Sequence, residues 1–304
     1  MRYIITGGTG LIGSALTQEL LKADHEIIVL SRNPKKYQKK IDPRIKLIQW
    51  NGKNGEGWFE LITSGTVIIN LAGANIASKR WSKKRKKLIL ESRVNAGKAV
   101  VDAIEKANEK PSVLVQASAI GYYDYHNSKE FTEDDGPGSG YLSEVVQAWE
   151  ASTDGVEALG VRRIVTRIGL VLSSEGGALK KMMPMFKFYV AGPFGSGEQW
   201  YSWIHIKDLV SAFLFLISCE SCKGPYNITS PEPVKNKDFV KLIGKVMGKP
   251  VWMKYPTFLL KIMLGEMAST LVNGQKVLPK RLLELGFRFQ FPKLIDALND
   301  LLSQ

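Results

Sequence analysis

Metal-ligating side chains are scarce in this chain, which has two cysteines and three histidines in 304 residues. His25, His126 and His205 are too scattered to form a spaced ligand set, and Cys219-Glu220-Ser221-Cys222 lacks the second pair that a four-thiolate zinc site needs. No metal is expected. A reactive C-x-x-C gains thiolate character at a helix N-terminus, whereas this one follows the helix-like run Leu209 to Ile217, at the end where the dipole opposes a thiolate. Two reduced, unreactive cysteines are therefore expected. Long apolar runs are missing as well. Leu209 to Ser218 is too short to span a bilayer, and Val251 to Gly265 is interrupted by Lys254 and Lys261, so no membrane is expected as a partner. Met1-Arg2 leads straight into an apolar strand with no targeting segment, which points to a cytoplasmic location. Acidic residues are in deficit, 29 against 42 lysines and arginines, for a net charge of +13. The densest basic run, Lys79-Arg80-Trp81-Ser82-Lys83-Lys84-Arg85-Lys86-Lys87, opens a long helical pattern and reads as a solvated face. No nucleic-acid-binding motif accompanies it, so nucleic acid is not the expected partner; positive potential would instead draw anionic small molecules toward a cleft.

What is present is an alternation of strands and helices. After Tyr3-Ile4-Ile5, further strands are read at Glu26 to Leu30, Ile45 to Trp50, Val67 to Leu71, Val113 to Ala117 and Arg163 to Ile168. A long helix is read from about Ser82 to Asn108 and another from about Tyr141 to Leu159, after a polar loop that runs to Gly140. Such alternation predicts an α/β fold, a Rossmann-type doubly wound parallel sheet with a smaller C-terminal substrate-binding lobe. Residues 1–168 form the nucleotide-binding domain, with 205–228 returning to it, and 169–204 with 229–304 form the second lobe. The methionines and aromatics of that lobe, Met182, Met183, Met185, Phe186, Phe188, Tyr189, Trp200, Tyr201 and Trp203, suit a wall around an organic substrate, although each also suits a plain core.

Thr6-Gly7-Gly8-Thr9-Gly10-Leu11-Ile12-Gly13 lies between the first strand and the helical spacing of Leu11, Ala15, Leu16 and Leu20. In that context Gly7 permits a tight turn, Gly10 lets the backbone approach a pyrophosphate, and Gly13 lets the helix lie close to the strand. The second strand ends Leu30-Ser31-Arg32-Asn33, without the carboxylate that would bond an NAD ribose. Arg32 offers a guanidinium fork to a 2′-phosphate instead, so the expected cofactor is NADP(H).

The glycine turn, Asn70-Leu71-Ala72-Gly73, Ser118 after the fifth strand and a tyrosine opening the next long helix resemble an extended or atypical short-chain dehydrogenase/reductase. Gln116-Ala117-Ser118-Ala119-Ile120-Gly121-Tyr122-Tyr123 is similar to the epimerase/dehydratase branch, and Ser202-Trp203-Ile204-His205, Gly224-Pro225-Tyr226-Asn227 and Leu278-Pro279-Lys280-Arg281 resemble an epimerase-like subfamily with a C-terminal domain of unknown function. The resemblance implies cofactor contacts at Leu71, Ala72, Gly73 and Arg93, and catalysis by Ser118 and Tyr141 on a small carbonyl or hydroxyl substrate, with sugar-nucleotide-like molecules included. It also implies a lysine four residues after the tyrosine, where this chain has Val145. Tyr125-His126-Asn127-Ser128-Lys129 has the right spacing but sits in the polar loop and reads as a decoy. Arg93 is a source of compensating charge, and Tyr122 and Tyr123 are alternative hydroxyl donors. Three readings stay open at this stage: an NADP(H)-dependent oxidoreductase or epimerase-like enzyme, a catalytically weak NADP(H)-binding sensor, and a basic nucleic-acid-binding protein. A homodimer through helices flanking the sheet is the assembly such folds commonly form.

Overall fold

β-Branched and aliphatic residues fill the segments β1 (Arg2–Thr6), β2 (Glu26–Ser31), β3 (Lys46–Gln49), β4 (Thr66–Asn70) and β5 (Val113–Ala119), which lie side by side in a computed structural model describing residues 1–303. Helices α1 (Leu11–Lys22), the short α2 (Pro34–Tyr37) and α3 (Lys83–Lys106) lie in the connections. The chain then forms β6 (His126–Phe131) outside the main sheet, α4 (Tyr141–Ala151) and β7 (Arg162–Ile168). Next come β8 (Leu170–Leu172), α5 (Gly177–Lys187), β9 (Trp200–Tyr201), β10 (Trp203–His205) and α6 (Ile206–Ser218), before β11 (Gly224–Ile228) adds the seventh strand. The remainder is β12 (Val234–Lys235), α7 (Asn236–Met247), α8 (Thr257–Leu264), α9 (Ser269–Val272), β13 (Gln275–Val277), α10 (Lys280–Glu284) and α11 (Leu294–Leu302).

The sheet order is β11-β7-β5-β4-β1-β2-β3 and every pairing is parallel. This is the doubly wound α/β arrangement, whose strand order reverses between β1 and β4, where a crevice opens beyond the strand ends. Alternation along the strands explains the two covered faces. Tyr3, Ile5, Val67, Ile69, Val113 and Val115 pack with Leu16 and Leu20 of α1 and Phe213 and Leu216 of α6. Ile4, Ile28, Ile68 and Leu114 face Ala96, Ala99, Val100 and Ala103 of α3. A separate core joins Phe186 of α5, Trp203 of β10, Phe239 of α7 and Leu298 of α11. Among the described residues no helix is long and apolar enough to cross a membrane.

Four expectations are corrected. Residues 126–131 are a strand rather than loop, pairing with β13 so that Val277 lies opposite Phe131; the partner strand is distant in sequence and leaves no local signal. The helix from Tyr141 ends at Ala151, where Ser152 and Thr153 hydroxyls bond back to the Trp149 and Glu150 carbonyls, and a 3₁₀ segment follows. Cys219 and Cys222 are joined in a disulfide, because the turn after α6 holds their Cα atoms 5.4 Å apart, within disulfide reach. Of the proposed aromatic wall, Met182, Phe186, Tyr201 and Trp203 are core, whereas Phe188 and Tyr189 face solvent.

Candidate functional site

The glycine turn is held by its neighbours on β4. Thr6 Oγ1 donates to Asn70 Oδ1 at 2.6 Å and accepts the Leu71 and Ala72 amides at 3.1 Å each. Gly7 adopts φ +68°, and a Cβ there would lie 2.8 Å from the Leu71 carbonyl oxygen. A Cβ on Gly8 would meet the Val29 side chain at 2.7 Å, and one on Gly13 the Gly8 Cα at 2.5 Å. Thr9 and Gly10 complete the turn, and the Gly10 amide donates to the Gly7 carbonyl at 3.0 Å. No side chain caps α1 at Gly10, so the first-turn amides of Leu11 and Ile12 are left for an anion at the positive end of the helix. A pyrophosphate fits this backbone on both counts, close approach and free donors. Arg32, exposed just past β2, lines a concavity of about 560 Å³ with Gln49, Trp50 and Asn54.

A chain of contacts leads from the turn toward α4. Leu71 and Ala72 back onto Gly7, and a Cβ on Gly73 would lie 3.1 Å from the Arg93 guanidinium carbon. Arg93 is anchored by bonds to the carbonyls of Ala74 (3.1 Å) and Ile89 (3.0 Å), and its guanidinium lies 4.9 Å from the Trp149 ring centre. Burial lowers its pKa to about 10, while the Tyr141 phenol opposes that shift.

Tyr141, the first residue of α4, lines a cavity of about 560 Å³ together with Trp81, Gly121, Tyr125, Lys261 and Glu266. Its ring packs edge to face with Trp81, centroids 5.2 Å apart, beneath Lys86 Nζ at 4.8 Å. The phenol donates to the Lys86 carbonyl at 3.0 Å. Burial raises its pKa above the ordinary value, against the lowering effects of Arg93 and Arg85. The basic run is thus only partly a solvated face. Lys86 pairs with Glu266, and Arg85 bonds the Asn75 carbonyl and Ser78.

Ser118 lies elsewhere. Its hydroxyl donates to Glu150 Oε1 at 2.5 Å, and the same carboxylate takes Arg167 Nε at 2.9 Å and Nη2 at 3.0 Å. Arg167 also donates to Tyr123 Oη, which donates to Asn227 Oδ1. Burial alone would lower the Arg167 pKa, but the pairing with Glu150 outweighs it and raises it. Burial pushes the Tyr123 phenol up to about 12. Glu150 lies nine positions along the helix from Tyr141, about 13 Å of axial rise. Ser118 does not line the Tyr141 cavity, and its hydroxyl is engaged by Glu150 instead. The hydroxyl on β5 is directed to the far end of α4, toward a buried ion pair that no local motif announces.

Val145 is buried within α4 and offers no charge. Tyr125 borders the cavity, but Lys129 pairs with Asp135. Sequence reasoning missed Glu150, Arg167, Lys261 and Glu266. The first two are 17 residues apart on different elements, and the last two come from the C-terminal part of the chain. None of the nine methionine and aromatic residues proposed as a wall lines the Tyr141 cavity.

Residues 3–229 match the NAD dependent epimerase/dehydratase family, and residues 255–301 match a domain of unknown function, DUF1731. Epimerase family protein SA0724 of Staphylococcus aureus (strain N315) is 39% identical over 311 residues, covering 100% of this chain and 99% of the relative. Human epimerase family protein SDR39U1 (isoform 2), solved with NADPH, is 32% identical with a TM-score of 0.87 over 100% of both chains. UDP-glucuronic acid 4-epimerase from Bacillus cereus, in complex with UDP-glucuronic acid and NAD, shares the fold at TM-score 0.79 and 16% identity, over 99% of this chain and 98% of its own. The chain belongs to the NAD-dependent epimerase/dehydratase family and carries its NAD(P)-binding Rossmann-type fold, followed by a DUF1731 segment.

Proposed function

We propose that the protein is an NADP(H)-dependent oxidoreductase that reduces the carbonyl group of a small organic substrate seated against Tyr141. The observation that carries this reading is the run of contacts from the cradle to the helix that Tyr141 opens: Gly7 against Leu71, Gly73 against Arg93, and the Arg93 guanidinium over the Trp149 ring of α4. Leu71, Ala72 and Gly73 would flank the cofactor, and Arg32 would take its 2′-phosphate. The smaller lobe, residues 169–204 and 229–304, would close the substrate site through Lys261 and Glu266.

NADPH held by the glycine turn and Arg32 would supply a hydride for the carbonyl carbon. Tyr141, with its pKa held above the ordinary value by burial, stays protonated at neutral pH, turns its hydroxyl from the Lys86 carbonyl to the substrate and donates its phenolic proton to the carbonyl oxygen. Arg93 stabilises the phenolate left behind, which regains a proton from water. The product is an alcohol. Oxidation, which needs the phenolate at the outset, is disfavoured without a lysine at position 145.

The Glu150–Arg167 pair that engages Ser118 favours a second reading, a protein that binds NADP(H) without robust turnover and acts as a sensor. One set of assays separates the two. NADPH consumption is followed with a panel of aldehydes and ketones, and Tyr141→Phe is expected to lower the rate by about 100-fold with NADPH affinity unchanged. Turnover unaffected by Tyr141→Phe removes Tyr141 as the donor, and tight NADPH binding with no carbonyl reduced favours the sensor. Arg32→Glu is expected to weaken NADPH binding about tenfold more than NADH binding, and equal loss of both overturns the NADP(H) assignment.

A further inference from the structure

Thirteen large hydrophobic side chains are exposed among the described residues, and eight of them fall in two short stretches, 188–190 and 252–263. The stretches are joined at their base. Trp252 Nε1 donates to the Tyr189 carbonyl at 2.8 Å and the Tyr255 hydroxyl to the Val190 carbonyl at 2.5 Å. Phe258 with Ile262, and Leu259 with Met263, are i, i+4 pairs, so they form one continuous apolar stripe along α8. Phe258 and Ile262 are each 66% exposed, whereas Leu260, on the opposite side of the helix, is buried. Lys261 turns instead to the Tyr141 cavity.

The segments that carry this face are basic, and Glu266, just past α8, is paired with Lys86. Residues 176–197 contain Lys180, Lys181 and Lys187 and no Asp or Glu. Residues 239–265 contain five lysines, among them Lys249 and Lys254, and again no Asp or Glu. Lys187 and Lys254 are exposed, and Lys249 Nζ bonds the Tyr189 hydroxyl at 2.9 Å, at the edge of the apolar face.

We propose that the α8 stripe, with Phe188 and Trp252, docks in the headgroup plane of an anionic lipid bilayer. Exposed aromatic and branched side chains beside lysines match such a surface: the apolar groups enter the acyl boundary while the ammonium groups meet anionic headgroups. A second copy of this chain is the poorer occupant, because it would set one lysine rim against another. Protein–protein interfaces are also depleted in lysine, whereas lysine stems lie along apolar surface with the charge in the polar layer at membranes. The expectation that no membrane is a partner rested on the lack of a spanning segment, and peripheral docking needs none.

The test is flotation of the full-length protein with vesicles of phosphatidylcholine, with and without phosphatidylglycerol. The protein is expected to float with the anionic vesicles only. Phe258→Ser with Ile262→Ser, and separately Lys187→Glu with Lys254→Glu, are expected to reduce the bound fraction about tenfold with unchanged circular dichroism and melting temperature. Should the apolar pair unfold the lobe, Phe258→Ala alone replaces it. Failure to float with anionic vesicles overturns the proposal. So does flotation that survives the apolar substitutions, which would reduce the effect to the net charge of +13. Sedimentation showing a dimer that those substitutions dissolve, without vesicle binding, assigns the face to a second copy.

Discussion

A methyl group at Gly13 would sit 2.5 Å from the Gly8 Cα and 2.6 Å from the Gly7 carbonyl oxygen, so alanine there must push α1 away from the turn that aims its amides. Gly13→Ala is expected to weaken NADPH binding about tenfold or more and to lower the melting temperature, measured by fluorescence titration and thermal unfolding. Unchanged affinity would separate this turn from cofactor binding. The glycines were legible in the sequence because turn, strand and helix are contiguous, and the physics acts over a few residues. Ser118 was not. Its hydroxyl position could be read, but its partner Glu150 depends on how α4 lies along β5 and on Arg167 arriving from β7. Val145 was read correctly as chargeless; its burial also means that a lysine introduced there would be desolvated rather than simply added.

At the scale of elements, the start of α6 illustrates a polar group made to serve an apolar setting. His205 is fully buried, accepts the Lys207 amide on Nδ1 at 3.1 Å and faces Asp300 at 3.2 Å through Nε2. Burial lowers its pKa from 6.5 to about 4, although Asp300 opposes the shift. The unfolded chain therefore binds this proton more readily than the folded one below the ordinary imidazole pKa. Stability from this residue is intact above that value and is lost progressively as pH falls toward about 4, by about 3 kcal/mol in all. Denaturant unfolding should reveal the difference, with His205→Asn, which can still cap α6, showing a loss shallower by about that amount between neutral and acid pH. A parallel pH dependence in the variant would assign the acid loss to other groups. The strand pairing of β6 with β13 belongs to this scale too. The polar residues 126–130, ahead of Phe131, have no independent reason to extend until Lys276 and Val277 supply a neighbouring backbone, with Lys276 pairing to Glu130.

Across the whole molecule, the sheet cores and the C-terminal core are tied by a few buried acceptors. Asp208 of α6 accepts the Gln290 and Phe291 amides at 2.7 and 2.9 Å, and Glu133 accepts the Asn227 amide at 2.9 Å and reaches that of Arg281. Burial raises the pKa of both carboxyl groups. Asp208→Ala would leave two amides without an acceptor and is expected to destabilise the protein by about 2–5 kcal/mol. Hydrogen exchange should quicken at Gln290, Phe291 and α11 before it does in β1–β5. A uniform change across the chain would show that the two cores do not open separately.

The sequence by itself determined the strand–turn–helix cradle, the parallel α/β alternation and the missing lysine after Tyr141, because each depends on residues a few positions apart. Tertiary structure decided which side chains meet: Arg93 over Trp149, Ser118 on Glu150 and Arg167, Glu266 on Lys86 at the cavity, and an α8 stripe left facing solvent. Those meetings are set by how helices and strands from distant parts of the chain pack around shared cores. The apolar and ionic groups involved carry the same chemistry whether they end in a core, a site or a surface, so only packing distinguishes their roles.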